Sequence, residues 1–242
     1  MINAMVTAGK KLLTMVENIN MQLFELFTLK KIYSGSMLKP YHRKRKTEAG
    51  CDEAGRGCFA GPVAAAAVIL PKNFYHPELN DSKQLTPEVR ETLRVYIEEK
   101  ALYYAVAMVD HEEIDAINIL RASFKAMHLA LEQLPVEPAL ILVDGNRFAA
   151  WRNIQHHCII KGDGIYASIA AASILAKTYR DKYMRQLHEE FPHYNWAQNK
   201  GYGTLEHRRA IEEHGLCKYH RKSFNILSAQ IQMDFDYEEE LV

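Results

Sequence analysis

The run Leu140-Ile141-Leu142-Val143 is wholly apolar and stops on Asp144-Gly145. A short apolar run without alternation reads as a strand buried on both faces, the central strand of a sheet with helices above and below it. A carboxylate at the end of such a strand is costly to bury unless something compensates its charge. The pattern recurs. Asp52 ends an earlier strand-like segment and is followed by Glu53, and Asp163 stands between Gly162 and Gly164 just ahead of a helical pattern. Any single Asp-Gly reads as a turn or a helix cap. Taken together, carboxylates at strand ends converge only where a cation neutralises them. An oxygen-only donor set suits a hard ion, Mg2+ or Mn2+. Such a cluster is the usual equipment of two-metal phosphodiester hydrolysis.

The order of segments predicts an α/β core followed by a mostly helical C-terminal part. Strands are expected over 47–52, 62–70, 102–109, 139–143 and 157–160. Helices are expected over 86–100, 111–134 (in two pieces meeting near Asn118), 165–191 and, more briefly, after Thr204. Thr86 followed by Pro87 is a strong helix start, because Thr caps well and Pro suits the first helical position. Ala170, Ala171 and Ala172 predict close packing of the long helix on the sheet.

Composition excludes little. The 242 residues carry 30 basic and 30 acidic side chains, so no global positive charge announces a nucleic-acid partner. Basic runs at 39–46 and 218–222 are offset by the acidic tail 234–240 and read as solvated surface. The four cysteines form no CxxC pair, which predicts reduced thiols and a cytoplasmic protein. His156, His157 and Cys158 are adjacent, so on a strand they alternate faces and make a poor zinc site. At the N-terminus, Leu12, Val16, Ile19, Leu23 and Leu26 predict a short amphipathic helix. Polar residues interrupt it too often for a signal peptide or a membrane span. Residues 33–36 read as a linker, and Met37 as an alternative start.

The segment Cys51-Asp52-Glu53-Ala54-Gly55-Arg56-Gly57-Cys58-Phe59-Ala60-Gly61-Pro62-Val63 resembles the opening signature of ribonuclease HII. The resemblance continues through Asn80–Leu85, Val143-Asp144-Gly145, Lys161-Gly162-Asp163 and Ile169–Lys177. Arg180-Asp181, Lys200–Thr204 and His220–Phe224 extend it, in the family's order, over roughly residues 47–225. Several ordered motifs are far more specific than one. The resemblance implies an RNase H-like fold, a mixed five-stranded sheet flanked by helices. It implies that Asp52, Glu53, Asp144 and Asp163 hold two ions, Mg2+ or Mn2+, during catalysis. It implies that the backbone of Gly55, Arg56 and Gly57 reads the ribose 2′-hydroxyl and that Tyr202 stacks on the neighbouring sugar. Lys83, Ser173, Lys177 and Lys200 complete the expected substrate contacts. The chemistry agrees, since the 2′-hydroxyl distinguishes RNA from DNA and phosphate contacts position a duplex without reading it.

The implied activity is hydrolysis of the RNA strand of RNA–DNA hybrids, with cleavage 5′ of ribonucleotides embedded in DNA, by a monomer. Residues 1–46 are then an N-terminal extension, 47–225 the catalytic domain and 226–242 an acidic tail. Two features depart from the family: the segment Asp163–Ser168 is less polar than expected, and the extension before Met37 matches nothing in it. Rival readings are a ribonuclease HIII-like enzyme, a resolvase of the same fold, and a non-catalytic hybrid-binding module. The first carries a different Gly-rich turn and a folded N-terminal domain for which 1–46 is too short. The last would place basic residues where the acids stand. Finally, Gln230-Ile231-Gln232-Met233-Asp234-Phe235 resembles a peptide that binds a sliding clamp.

Overall fold

The apolar run becomes a central strand. In the computed structural model, which describes residues 38–226, β1 (Glu48–Ala54) and β4 (Leu140–Asp144) pair in parallel, with Cys51 opposite Val143. β2 (Val63–Ile69) runs antiparallel to β1, and β3 (Tyr103–Val109) antiparallel to β2. β5 (His156–Ile159) adds in parallel to β4. The order β3-β2-β1-β4-β5 makes the mixed five-stranded sheet that the resemblance implied. His156, His157 and Cys158 lie on its edge strand.

Helices cover both faces. α1 (Pro87–Lys100) and the long α4 (Ala167–Glu190) pack on one side, around Ala66, Val68, Leu93 and Ile174. α2 (His111–Ile117) and α3 (Ile119–Glu132) pack on the other, around Cys51, Ala65, Ile114 and Met127. Asn118 separates α2 from α3: its φ of 69° breaks the first helix, and its carboxamide accepts from Leu120 N and Arg121 N to start the second. The C-terminal part, with α5 (Trp196–Asn199) and α6 (Leu205–His214), forms its own cluster around Trp196, Tyr194 and Met184.

One close approach sets the site. A Cβ on Gly50 of β1 would lie 2.2 Å from the main-chain carbon of Ser168. Only glycine lets β1 and α4 touch backbone to backbone there, and Ala170, Ala171 and Ala172 are each fully buried in the same seam. α4 begins two residues later than expected because Gly162–Gly164 first forms a 3-10 turn. No side chain caps α4. Instead Ala167 N donates to the carbonyl of Lys39, and Lys39 N to that of Ile165. Residues 38–46, which the sequence places in the extension, therefore run against this helix start, and His42 bonds Tyr166. The Leu12–Leu26 stripe and the Gln230–Phe235 motif lie outside the described residues. Among those described, no helix is long and apolar enough to cross a membrane.

Candidate active site

β1 and β4 run in parallel and finish side by side, so Asp52 and Asp144 reach the same end of the sheet. The turn Gly162–Gly164, following β5, adds Asp163. Oxygens of these three carboxylates lie within 4.8 Å of one another, and Asp52 and Asp163 are buried. Main-chain donors hold the cluster. Asp52 accepts from Glu53 N at 2.7 Å, Asp144 from Gly162 N at 2.7 Å, and Asp163 from Gly164 N at 3.0 Å. These bonds do not cancel the crowding. Burial, then the charges of Glu53 and Asp144, holds Asp52 well above the usual carboxylate range. Burial, then Asp144 and Asp81, pushes Asp163 up to about 6. Like charges gathered away from water are compensated by a cation, and the all-oxygen donor set fits a hard divalent one.

Glu53 follows Asp52 on β1, so its side chain leaves the opposite face of the sheet. There it lines a cleft of about 300 Å3 with Asp144, Arg56, Leu120, Phe124 and Arg147. Burial raises its carboxyl despite Arg56, whose guanidinium donates to it at 3.1 Å. The cluster is thus three clustered aspartates with Glu53 adjoining from the other side. Asp81 was not singled out from sequence, yet it faces Asp163. Its carboxylate also caps the turn Ser82–Gln84 by accepting from Lys83 N at 2.9 Å, which brings the charge of Lys83 to bear on Asp163 and Glu53.

Ser173, expected among the substrate contacts, lies inside the fold. It is buried and shares a 2.9 Å hydrogen bond with Ser82, and its hydroxyl near Asp52 favours that carboxylate's negative form. The Gly50 approach drives α4 onto the sheet at this point, which places Ser173 beside the carboxylate cluster. Lys177 lies one helical turn on, paired with Asp181 at 2.7 Å and 5.6 Å from the centre of the Tyr202 ring. Lys200 turns back onto the carbonyls of Ala197 and Gln198, which end α5, and burial lowers its affinity for a proton.

Beyond Glu53 the chain turns through Gly55-Arg56-Gly57, with Gly55 at φ +94° and Arg56 and Gly57 exposed. Cys58 bridges to Tyr202, so the turn and the aromatic ring lie together, 39% of Tyr202 remaining exposed. A buried histidine pair holds Tyr202 from behind. Cys217 N donates to His220 Nδ1 at 3.0 Å, which leaves the His220 proton on Nε2, 3.2 Å from His207 Nε2. His207 Nε2 also accepts from Trp196 at 3.0 Å, so its own proton sits on Nδ1, 2.9 Å from the Tyr202 carbonyl. Each tautomer is fixed by its neighbour.

A mixed sheet that delivers crowded carboxylates to one end, beside a glycine turn and an exposed aromatic, defines a metal-dependent nuclease of the RNase H-like class. Comparison with known proteins narrows the class. The family model of ribonuclease HII matches residues 49–227. A ribonuclease HII of Bacteroides thetaiotaomicron is 62% identical over 200 residues, 82% of this chain and all of that one. The ribonuclease H2 of Pyrococcus horikoshii superposes with a TM-score of 0.65 at 25% identity, covering 78% of this chain and 99% of that one. A ribonuclease HII of Archaeoglobus fulgidus, solved in complex with PCNA, gives 0.60 at 24%, covering 74% and 95%. The chain belongs to the ribonuclease HII family, and its activity is that of a ribonuclease H.

Proposed function

We propose that the enzyme hydrolyses the phosphodiester on the 5′ side of a ribonucleotide embedded in DNA, leaving a 5′-phosphate on the ribonucleotide and a free 3′-hydroxyl. It also cuts the RNA strand of longer RNA–DNA hybrids. The single observation that carries this reading is adjacency: Glu53 of the acidic site is two residues from Gly55, and Cys58 of the same turn bridges Tyr202. A sugar resting on Tyr202 with its 2′-hydroxyl at the turn lies next to the carboxylates. Asp52, Asp144, Asp163 and Glu53 would hold the ions, Mg2+ or Mn2+. Bound there, divalent ions supply activated water and neutralise charge on the leaving oxygen.

The chain's own groups do the rest. N–H groups of Gly55, Arg56 and Gly57 test for the 2′-hydroxyl, which accepts and donates where deoxyribose offers nothing. Tyr202 packs on the adjoining sugar, its phenol pushed up to about 12 by burial. Lys83, Lys177 and Lys200 supply positive charge along the strand, with Lys83 acting on Asp163 and Glu53 and Lys177 lying beside the Tyr202 ring. We place the enzyme in the cytoplasm, supported by Cys51, Cys58, Cys158 and Cys217 all being free thiols, and take it to act as a monomer. Gln230–Phe235 would dock on a sliding clamp; loss of clamp binding by the full chain on Phe235→Ala tests it, and unchanged binding overturns it.

The deciding experiment is cleavage of a duplex with one embedded ribonucleotide. Cutting on its 5′ side with Mg2+ or Mn2+, none with a chelator, and none on the all-DNA duplex are expected. Cutting on the 3′ side, or equal cutting of four-way all-DNA junctions, would overturn it in favour of another nuclease of this fold.

A further inference from the structure

Two guanidinium groups lie inside the fold beside the Gly55–Gly57 turn: Arg221 at 0% exposure and Arg180 at 1%. Buried charges usually have a carboxylate for partner. Here every guanidinium nitrogen goes to a main-chain carbonyl. Arg221 donates from Nε to Gly61 at 3.0 Å, from Nη1 to Arg56 at 2.9 Å and from Nη2 to Gly55 at 2.7 Å. Arg180 donates from Nε to Pro62 at 2.7 Å, from Nη1 to Lys200 at 2.8 Å and from Nη2 to Ala60 at 3.1 Å. One fork grips the turn, and the other joins its far side to the segment carrying Tyr202.

Peptide geometry gives this grip a consequence. In a trans peptide the C=O of one residue and the N–H of the next point to opposite sides, and the chain has no cis bond among its described residues. Arg221 draws the carbonyls of Gly55 and Arg56 inward. The N–H groups of Arg56 and Gly57 therefore face away from it, and both residues are exposed. Glycines on either side would otherwise let these peptide planes rotate cheaply. Arg180 blocks Gly55 as well, since its Nε stands 2.0 Å from where a Cβ would be.

We infer that Arg221 is a positioning residue for ribose recognition: by holding the Gly55 and Arg56 carbonyls it aims the N–H groups that meet the 2′-hydroxyl. This rests on the turn being the ribose reader, as proposed above. The role needs a planar fork. A lysine keeps the charge but offers one nitrogen to three carbonyls. The turn Arg221 belongs to is itself anchored, because Asp115 accepts from Lys222 N at 2.8 Å and Ser223 N at 3.0 Å.

The test compares a duplex with one ribonucleotide against the same duplex carrying a 2′-fluoro sugar there, fluorine being a poor acceptor and no donor. The full chain should prefer the ribonucleotide strongly in kcat/KM. Arg221→Lys should lose about tenfold of that preference, the value of one well-placed hydrogen bond. Asp115→Ala, a milder change at a half-buried position, should move it the same way by less, and decides the matter if Arg221→Lys does not fold. A folded Arg221→Lys, or failing that Asp115→Ala, with reduced turnover but unchanged preference would overturn the inference and leave Arg221 a structural residue. An unmodified enzyme that cuts both sugars alike would instead overturn the reading of the turn on which it rests.

Discussion

Gly50→Ala joins the packing of the sheet to the chemistry at its end. The added methyl would stand 2.2 Å from Ser168 C, 2.4 Å from Ser168 O and 2.5 Å from Ile169 N. Ordinary contact begins at 3.4 Å, so the nearest atom must retreat by the difference, 1.2 Å. All three atoms are backbone, and no side chain can rotate away. Either α4 lifts from β1 or β1 bends. Overpacking of this kind costs about 1–3 kcal/mol and sometimes more. Taking about 3 kcal/mol, a domain of this size should melt roughly 6–12 °C lower. The same shift separates Ser173 on α4 from Asp52 on β1. Misplacement by about 1 Å at a reacting centre costs on the order of a hundredfold in rate. Thermal unfolding followed by circular dichroism gives the first number, and single-turnover cleavage at one ribonucleotide, well below the melting range, gives the second. A variant with the parent's melting temperature and rate would show that α4 does not approach β1 as described. A lowered melting temperature with an unchanged rate would show that the cluster tolerates the shift.

What could be read from the chain was what local pattern controls. Leu140–Val143 declared a buried strand because four apolar residues in succession leave no polar face. Asn118 declared the break between α2 and α3, although not its positive φ. Asp52 and Asp144 stood out because a carboxylate at the end of a buried strand is expensive wherever the strand goes, and Asp163 because it stands between two glycines ahead of a helix. The burial of Ser173 was not legible, for a complementary reason. On a helix it looks like any exposed hydroxyl, and only the Gly50 approach, made through tertiary packing, buries it under Asp52 and Ser82. Arg221 illustrates the limit. Its bond to the Arg56 carbonyl spans 165 positions, and nothing near it in the chain marks it as buried. The boundary at 46 failed to show that Lys39 caps α4, because main-chain caps carry no residue signature.

The remaining predictions concern single side chains. Asp144→Asn should reduce cleavage to background while leaving the metal-free protein as stable or more so, since its amide oxygen still accepts from Gly162 and a crowded charge is gone; retained turnover at saturating Mg2+ would remove Asp144 from the site. Tyr202→Ala should lower cleavage at one embedded ribonucleotide about tenfold more than cleavage within a long hybrid, in line with the loss of one aromatic contact; equal losses would make the ring structural. The last prediction follows from the histidine pair. His220 is buried between Cys217 N and His207, with both ring nitrogens committed, and burial, then the charge of His207, pushes it down to about 4. Its folded affinity for a proton is below the unfolded one, so the unfolded chain gains protons first as pH falls. Stability from the neutral pair is therefore complete above the unfolded value, about 6.5, and drains away between there and about 4. His220→Gln keeps a donor toward His207 but does not titrate. It should melt below the parent at pH 7.5, where the parent's relay is intact, and the gap should narrow steadily toward pH 5. Asp52 and Asp163, whose carboxyls shift upward, stabilise the fold in acid, but they are present in both proteins and cancel in the comparison. Melting curves in chelator at three pH values suffice. A gap that stays constant would mean that His220 takes up its proton on Nδ1 at no cost to the bond it accepts from Cys217 N, and the relay behind Tyr202 would lose its assigned tautomers.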